Sequence, residues 1–209
     1  MSAKPFEREL VKGYLHEPVS PNGGGLAITH GAGSNCDAPL LRGMAEAMCE
    51  AGLWVLRYDL PYRQARPKGP PFPAQAPRDR DGVRAAAKAL REVANGRIYL
   101  GGSSYGGRQT SMAAAEDPVL ADALLLLSYP LHPPGKASQP RTEHFVKLRT
   151  AVMFAHGTRD SFGTIDELKA ALTLIPGRTE LLAIEGAPHG LPSSGAKLVT
   201  SRFIEFAGR

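Results

Sequence analysis

The chain has 209 residues, of which 43% are hydrophobic and 22% are charged, and its formal net charge is +5. This composition is ordinary for a folded globular protein and excludes a disordered, fibrous or collagen-like chain. The length fits a single domain over residues 1–209. The positive excess is small and is densest in a Pro-rich stretch without interleaved aromatic residues, so we expect no nucleic-acid partner.

Targeting and metal-binding patterns are absent from the sequence. The N-terminal segment carries no apolar run of signal-peptide length, and no stretch approaches the roughly 18 apolar residues of a membrane span. We therefore expect a cytoplasmic protein without membrane contacts. Cys36 and Cys49 are too few for a disulfide framework and lack the spacing of a zinc site, which predicts packed thiols, no metal and no cofactor.

Apolar runs of strand length alternate with segments of helical periodicity along the chain. This alternation predicts an α/β fold, with a mostly parallel sheet covered by helices on both faces. The predicted strands lie at residues 9–15, 26–29, 53–58, 97–100, 123–128, 151–155 and 180–184. The predicted helices lie at residues 39–50, 79–94, 106–115, 164–174 and 197–206. Asp79 or Asp81 is expected to cap the second of these helices.

Two connections bear on access to a site. A loop rich in Pro and Arg is predicted from residue 59 to about residue 77, which is long enough to be functional. The connection after Ser128 is rich in Pro and has room for about one helix, so we expect no substantial lid domain. A shallow, open pocket favours small or extended substrates over long lipid chains.

The strongest motif lies between a predicted strand and a predicted helix. Residues 102–106 read Gly-Ser-Ser-Tyr-Gly and match GxSxG, the pattern of a nucleophile elbow, in which small residues allow a strained turn to hold the serine above the sheet. A serine hydroxyl needs a nearby base and an oxyanion hole to act as a nucleophile. The motif predicts that Ser104 is the nucleophile.

Two later loops supply the remaining groups of a triad, in the order acid and then histidine. Asp160 follows the strand predicted at 151–155, and His189 follows the strand predicted at 180–184. An imidazole accepts a proton near neutral pH and returns it to the leaving group, and a carboxylate fixes its tautomer. We therefore predict His189 as the general base and Asp160 as the acid that orients it.

Alternatives exist for the acid and the base. Asp59 also ends a strand, but it precedes the elbow, and Asp166 fits the first turn of a helix better. His30 and His156 each belong to a His-Gly pair that ends a strand, where a histidine more often braces the loop. Neither histidine is predicted as the base.

The remaining candidate residues would bind the substrate. Oxyanion holes of this kind use the N–H group after the nucleophile and one from an earlier loop, here Tyr105 and Ala32. Arg63, Arg108 and Arg141 are candidates to select an acidic acyl group, because guanidinium pairs bidentately with carboxylate. The alternative for these arginines is solvated surface.

With these motifs in place, nearly the whole chain resembles the small α/β-hydrolases of the dienelactone-hydrolase-like group, and most closely the Tex30/KANSL3-type branch. The likeness rests on AITHGAGSN (27–35), LRYDLPYR (56–63), GGSSYGGR (101–108) and VMFAHGTRD (152–160). It implies the α/β-hydrolase fold with about eight strands, a triad at Ser104, Asp160 and His189, and an oxyanion hole at Ala32 and Tyr105. Dienelactone hydrolases proper carry a cysteine at the nucleophile position.

The sequence therefore predicts a serine hydrolase that cleaves a small-molecule carboxylic ester or thioester through an acyl-enzyme on Ser104. Two alternatives remain at this point. The first is a catalytically idle binding or scaffold module, which the KANSL3 likeness implies through proteins associated with chromatin complexes. The second is an amide or peptide hydrolase with the same triad.

Overall fold

Eight strands and six α-helices make up most of the regular structure of residues 3–208, the part of the chain that this computed structural model describes. The strands are β1 Ala3–Arg8, β2 Val11–His16, β3 Gly25–Thr29, β4 Trp54–Asp59, β5 Ile98–Ser103, β6 Ala123–Leu127, β7 Ala151–Gly157 and β8 Thr179–Ile184. The helices are α1 Pro39–Glu50, α2 Pro61–Ala65, α3 Ala76–Arg91, α4 Tyr105–Glu116, α5 Ile165–Leu172 and α6 Ala196–Ala207.

All eight strands belong to one sheet, in the order β1-β2-β4-β3-β5-β6-β7-β8. β2 pairs antiparallel with β1 and β4, and the other pairs are parallel, which confirms the mostly parallel sheet. The chain runs from β3 outward to β4 and then returns to β5 on the other side of β3. Such a reversal opens a crevice at the carboxyl ends of β3 and β5, where ligands bind in open α/β sheets.

The hydrophobic core has two layers, one on each face of the sheet. On one face α3 and α4 contribute buried residues such as Val83, Leu90 and Ala113. On the other face α1 and α6 contribute residues such as Met44 and Phe203. The central strand β6 is buried along its whole length, as expected for a parallel strand covered on both sides.

Two further features concern the cysteines and the lengths of the helices. Cys36 and Cys49 are buried free thiols, so the prediction of packed thiols is confirmed. No helix within residues 3–208 combines the length and the apolar composition needed to cross a bilayer.

The structure corrects three local predictions. The strand predicted at 9–15 corresponds to β2 but begins later, at Val11, because the chain turns at Leu10, with φ of 61°, and forms the β1–β2 hairpin. β1 is mostly exposed and therefore lacks the apolar pattern that marks a strand. Neither Asp79 nor Asp81 caps α3, since the helix begins at Ala76 with Pro77 in its first turn, where the fixed φ of proline suits it. The predicted loop at 59–77 contains α2.

Candidate active site

Ser104 lies at the sharp turn from β5 into α4. Its φ of 50° and ψ of −115° are unusual for a residue with a side chain, and such strain is typical of functional turns. The neighbouring glycines permit the turn. A Cβ on Gly102 would lie 2.5 Å from the carbonyl carbon of Gly106, and a Cβ on Gly106 would lie 2.5 Å from the carbonyl oxygen of His30. The GxSxG spacing therefore reflects close backbone packing around the serine.

A continuous chain of hydrogen bonds joins the three residues predicted as a triad. The Oγ atom of Ser104 is 2.8 Å from Nε2 of His189, and Nδ1 of His189 is 2.9 and 2.8 Å from the two carboxylate oxygens of Asp160. The Asp160 side chain is fully buried, whereas that of His189 is 24% exposed. With Nδ1–H donating to the carboxylate, Nε2 is left to accept the serine proton.

Phe162 contacts both Asp160 and His189, and its role was not predicted from the sequence. Its backbone N–H donates to Oδ1 of Asp160 at 2.8 Å. Its ring stacks on His189 with 4.0 Å between ring centroids and 26° between the planes. It therefore limits the orientations open to the imidazole. Only its position two residues after the acid could have indicated this role, because a turn has no periodic pattern.

The loops that carry the acid and the base are bonded to each other. The N–H of Arg159 donates to the carbonyl of Ala187 at 3.0 Å, and the N–H of Thr158 donates to that of Ile184 at 3.0 Å. A Cβ at position 157 would lie 2.2 Å from the Ala187 oxygen, so only glycine fits there. This close packing fixes the distance between Asp160 and His189.

The two other candidate histidines brace loops. His156 is fully buried, and its Nε2–H donates to the carbonyl of Gly163 at 2.8 Å. Nδ1 of His30 donates to the carbonyl of Gly31 at 2.9 Å, and its Nε2 accepts from the N–H of Leu60 at 3.2 Å. Burial lowers the pKa of His30, which favours this neutral form.

The two alternative acids lie elsewhere. Oδ1 of Asp59 accepts the backbone N–H of Cys36 at 2.6 Å and is 3.4 Å from Nε2 of His30. Asp166 is in the first turn of α5, where its exposed carboxylate pairs with Lys169 at 3.3 Å. Of the three candidate carboxylates, Asp160 is the one that hydrogen-bonds His189.

Free backbone donors flank the nucleophile. Within residues 3–208, neither the N–H of Tyr105 nor that of Ala32 donates a hydrogen bond to the protein. The loop of Ala32 packs directly on the elbow, since a Cβ on Gly31 would lie 3.4 Å from that of Ser104. Both groups are thus available to an oxyanion formed at Ser104.

Arg63, one of the candidates to select an acidic acyl group, lies behind the loop that carries Ala32. Its guanidinium donates four hydrogen bonds to backbone carbonyls, at 2.7 Å to Ser34 and at 3.1 Å to Ala32, Arg66 and Gly69. The side chain is buried and borders neither cavity at Ser104. Its donors are occupied in holding the loop.

A buried carboxylate links the two sides of the predicted oxyanion hole. Oδ2 of Asp79 accepts from the hydroxyl of Tyr105 at 2.7 Å, and its Oδ1 accepts from the N–H of Tyr62 at 3.0 Å. The hydroxyl of Tyr62 in turn donates to the carbonyl of Ala32 at 3.0 Å. Burial raises the pKa of Asp79, and these hydrogen bonds oppose the rise. Apart from the likeness of residues 56–63, no sequence pattern indicated this network.

Two cavities meet at Ser104. The first has a volume of about 580 Å³ and is bordered by His189 and by apolar residues of α1 and of the loop before α6, including Leu40 and Leu191. The second has a volume of about 430 Å³ and is bordered by Arg108, Arg141 and the Pro-rich segment 70–73. Phe162 borders both, and His189 borders only the first. A substrate that reaches Ser104 can therefore extend in two directions.

Comparison with known proteins identifies relatives of this arrangement. The sequence model described as "Alpha/beta hydrolase domain" matches residues 24–202. Similar solved structures include Est1E from Butyrivibrio proteoclasticus, at 18% identity and TM-score 0.77 over 100% of both chains. They also include the dienelactone hydrolase from Anabaena variabilis, at 20% identity and TM-score 0.76 over 98% of both chains. At these identities the structures share the fold, and they do not bear on the Tex30/KANSL3-type branch.

Proposed function

The chain belongs to the alpha/beta hydrolase family and is a hydrolase, and from that premise we propose that it is a serine hydrolase of carboxylic esters or thioesters. The reaction would proceed through an acyl-enzyme on Ser104. The observation that carries the proposal is the unbroken hydrogen-bond chain from Ser104 through His189 to the buried Asp160.

The proposed reaction begins with proton transfer. Nε2 of His189 takes the proton of the Ser104 hydroxyl as Oγ attacks the carbonyl carbon of the substrate, and Asp160 stabilises the imidazolium that forms. The N–H groups of Ala32 and Tyr105 bind the oxyanion of the tetrahedral intermediate. The C–O or C–S bond then breaks, and His189 gives its proton to the leaving alcohol or thiol.

The second half of the cycle uses water as the nucleophile. His189 takes a proton from water, the hydroxide oxygen bonds to the acyl carbon, and the oxyanion forms again in the same hole. Collapse of this intermediate breaks the bond to Oγ and returns the proton to Ser104. The products are a carboxylic acid and the alcohol or thiol, and no cofactor takes part in these steps.

The test is hydrolysis of short-chain 4-nitrophenyl esters, acyl thioesters and acyl anilides. We expect the esters and thioesters to be cleaved and the Ser104→Ala variant to lose at least about 10³-fold in kcat/KM. Ser201→Ala is the control, since it removes an exposed serine hydroxyl on α6 that borders neither cavity at Ser104, and it should retain activity. Cleavage of anilides without cleavage of esters would replace this proposal with an amidase.

Three sequence-based expectations accompany this proposal. We propose one domain over residues 1–209, a cytoplasmic location, and a small-molecule substrate without nucleic-acid or membrane partners. Short acyl groups fit best, because both cavities at Ser104 are of modest volume and open to solvent.

A further inference from the structure

The second cavity at Ser104 has a cationic wall. Arg108 lies on α4, one turn after the nucleophile, and Arg141 lies on the connection between β6 and β7. Both arginines border the same 430 Å³ cavity as Ser104 and the Pro-rich segment 70–73. The positive charge is therefore placed where part of a bound substrate would lie.

These two guanidinium groups have no acidic partner among residues 3–208 and share a single long hydrogen bond to the protein. Within residues 3–208 the Arg108 side chain forms no hydrogen bond or salt bridge, and its Nε atom is buried without a partner. Arg141 forms one long hydrogen bond, 3.4 Å from Nη1 to the carbonyl of Pro130. By contrast the buried Arg57 pairs with Asp37 at 2.6 Å. A half-buried cation without a partner is costly, and an anionic ligand would offset that cost.

Neighbouring groups respond to this positive charge. Burial and the charge of Arg108 lower the pKa of Arg141, and the same two causes lower the pKa of His144 to about 4. Glu143 opposes this field at Arg141 but forms no salt bridge with either arginine among the described residues. The buried Gln109, whose Nε2 atom has no hydrogen-bond partner, borders the same cavity and adds a neutral donor.

The position of His189 decides which half of a substrate each cavity receives. As general acid, His189 must reach the oxygen or sulfur of the leaving group. His189 borders the first cavity, which is mainly apolar, and does not border the second. The leaving group therefore belongs in the first cavity, and the acyl group extends into the second.

We propose that Arg108 and Arg141 bind a carboxylate at the far end of the acyl group. The preferred substrates are then monoesters or monothioesters of dicarboxylic acids with an apolar leaving group. Their hydrolysis gives the free diacid and the alcohol or thiol by the steps described above. This inference rests on the proposed function of Ser104 and adds the substrate class.

Two probes of the same shape test the carboxylate. One is the mono-4-nitrophenyl ester of adipic acid, and the other is the same ester with the free acid converted to a primary amide. Shorter diacids are avoided because their aryl monoesters readily cyclise to anhydrides without an enzyme. We expect kcat/KM to be about tenfold or more higher for the acid, as charge-assisted hydrogen bonds imply, and the preference to weaken as salt is added.

Variants of Arg108 and Arg141 test whether these two side chains cause the preference for the acid over the amide. Arg108→Gln and Arg141→Gln should each reduce the acid-to-amide ratio toward one, and Arg108→Lys should keep part of it. Arg149→Gln is the matched control, because it makes the same charge change at an exposed residue. Arg149 precedes the amino end of β7, whereas Ser104 follows the carboxyl end of β5, so this variant should leave the acid-to-amide ratio unchanged. Thermal melting of each variant identifies any that fail to fold.

The outcomes separate this inference from the function on which it rests. If fluorophosphonate labels Ser104 but the acid is hydrolysed no faster than the amide, or neither is hydrolysed, the carboxylate site is overturned and the nucleophile stands. An acid preference that survives both Arg→Gln variants overturns it too. If Ser104 is not labelled, the proposed function fails, and this inference fails with it.

Discussion

Ser104 owes its position to contacts that its neighbours make rather than to its own side chain. The positive φ is held by the hydrogen bond from the Ser104 N–H to the carbonyl of Leu127, at 2.8 Å, and by the close approach of Gly102 to Gly106. On either side of it, Tyr105 and the loop of Ala32 are tied to Asp79, directly and through Tyr62. We therefore propose that Asp79 is a positioning residue for the predicted oxyanion hole.

The bond between Asp79 and Tyr105 gives a prediction about coupling. Asp79→Asn replaces an acceptor with an amide beside a buried hydroxyl and should lower the free energy of unfolding by about 1–3 kcal/mol. Tyr105→Phe removes the hydroxyl and should have a smaller effect. In urea unfolding, the double variant should lose less free energy of unfolding than the two single variants together. The difference should be about 0.5–3 kcal/mol. Additive losses would mean that the two groups do not interact.

The elements of the fold explain why part of the site could be predicted. Carboxyl ends of parallel strands share one edge of a sheet, so loops that follow β5, β7 and β8 must lie close together. The GxSxG motif selected Ser104 and strand-loop order then selected Asp160 and His189, and the structure places the three within hydrogen-bond distance. The boundaries of α1 were also predicted, because its apolar periodicity is regular and Pro39 marks its start.

Other parts of the site depend on contacts that no local pattern encodes. Asp79 was predicted as a helix cap because its position resembles one, but the helix begins earlier and its carboxylate is directed at Tyr62 and Tyr105. Arg63 was a candidate to select an acidic acyl group, with solvated surface as the alternative, whereas it is buried and its hydrogen bonds are to the loop that carries Ala32. The polar edge strand β1 was missed because its partner in the hairpin, rather than its own composition, makes it a strand.

The packing of α4 against the loop after β3 makes a prediction about Gly106. Alanine favours a helix by about 1 kcal/mol over glycine, but here its Cβ would lie 2.5 Å from the His30 oxygen. The clash should outweigh the helix preference of alanine and lower the free energy of unfolding by about 1–3 kcal/mol. Fluorophosphonate labelling of Ser104 should be lost as well. Gly195→Ala is the control, because nothing lies within 4 Å of its added Cβ. Equal stability of the two variants in urea would contradict the close packing.

Across the whole molecule, the antiparallel edge of the sheet is joined to the loop before α1 by Arg57. Its Nε–H donates to Nε2 of the buried His16 at 2.9 Å, and its Nη1 reaches Asp37 at 2.6 Å and the carbonyl of Cys36 at 2.8 Å. Burial, and to a lesser degree the charge of Arg57, lowers the pKa of His16 to about 4. Protonation of His16 would break this link, because Nε2 could no longer accept.

This histidine gives a prediction about stability and pH. A pKa below the unfolded value of 6.5 means that the unfolded chain binds the proton first as the pH falls. The free energy of unfolding should therefore decrease between about pH 6.5 and pH 4, by up to about 3 kcal/mol for His16. His16→Gln keeps an acceptor for Arg57 without titrating, so its urea unfolding should depend less on pH. A variant with the same pH dependence as the wild type would contradict the assignment.

Two cavities meet at one strained serine, and we propose that they receive the two halves of the substrate. The direct measurement is reaction of the folded chain with a fluorophosphonate probe, with the adduct located by mass spectrometry, in the wild type and in Ser104→Ala and His189→Ala. We predict one adduct, on Ser104, that is absent from Ser104→Ala and greatly slowed in His189→Ala, because the hydroxyl depends on Nε2 of His189 for activation. A folded wild type that remains unlabelled would contradict an activated nucleophile and leave the binding-module alternative.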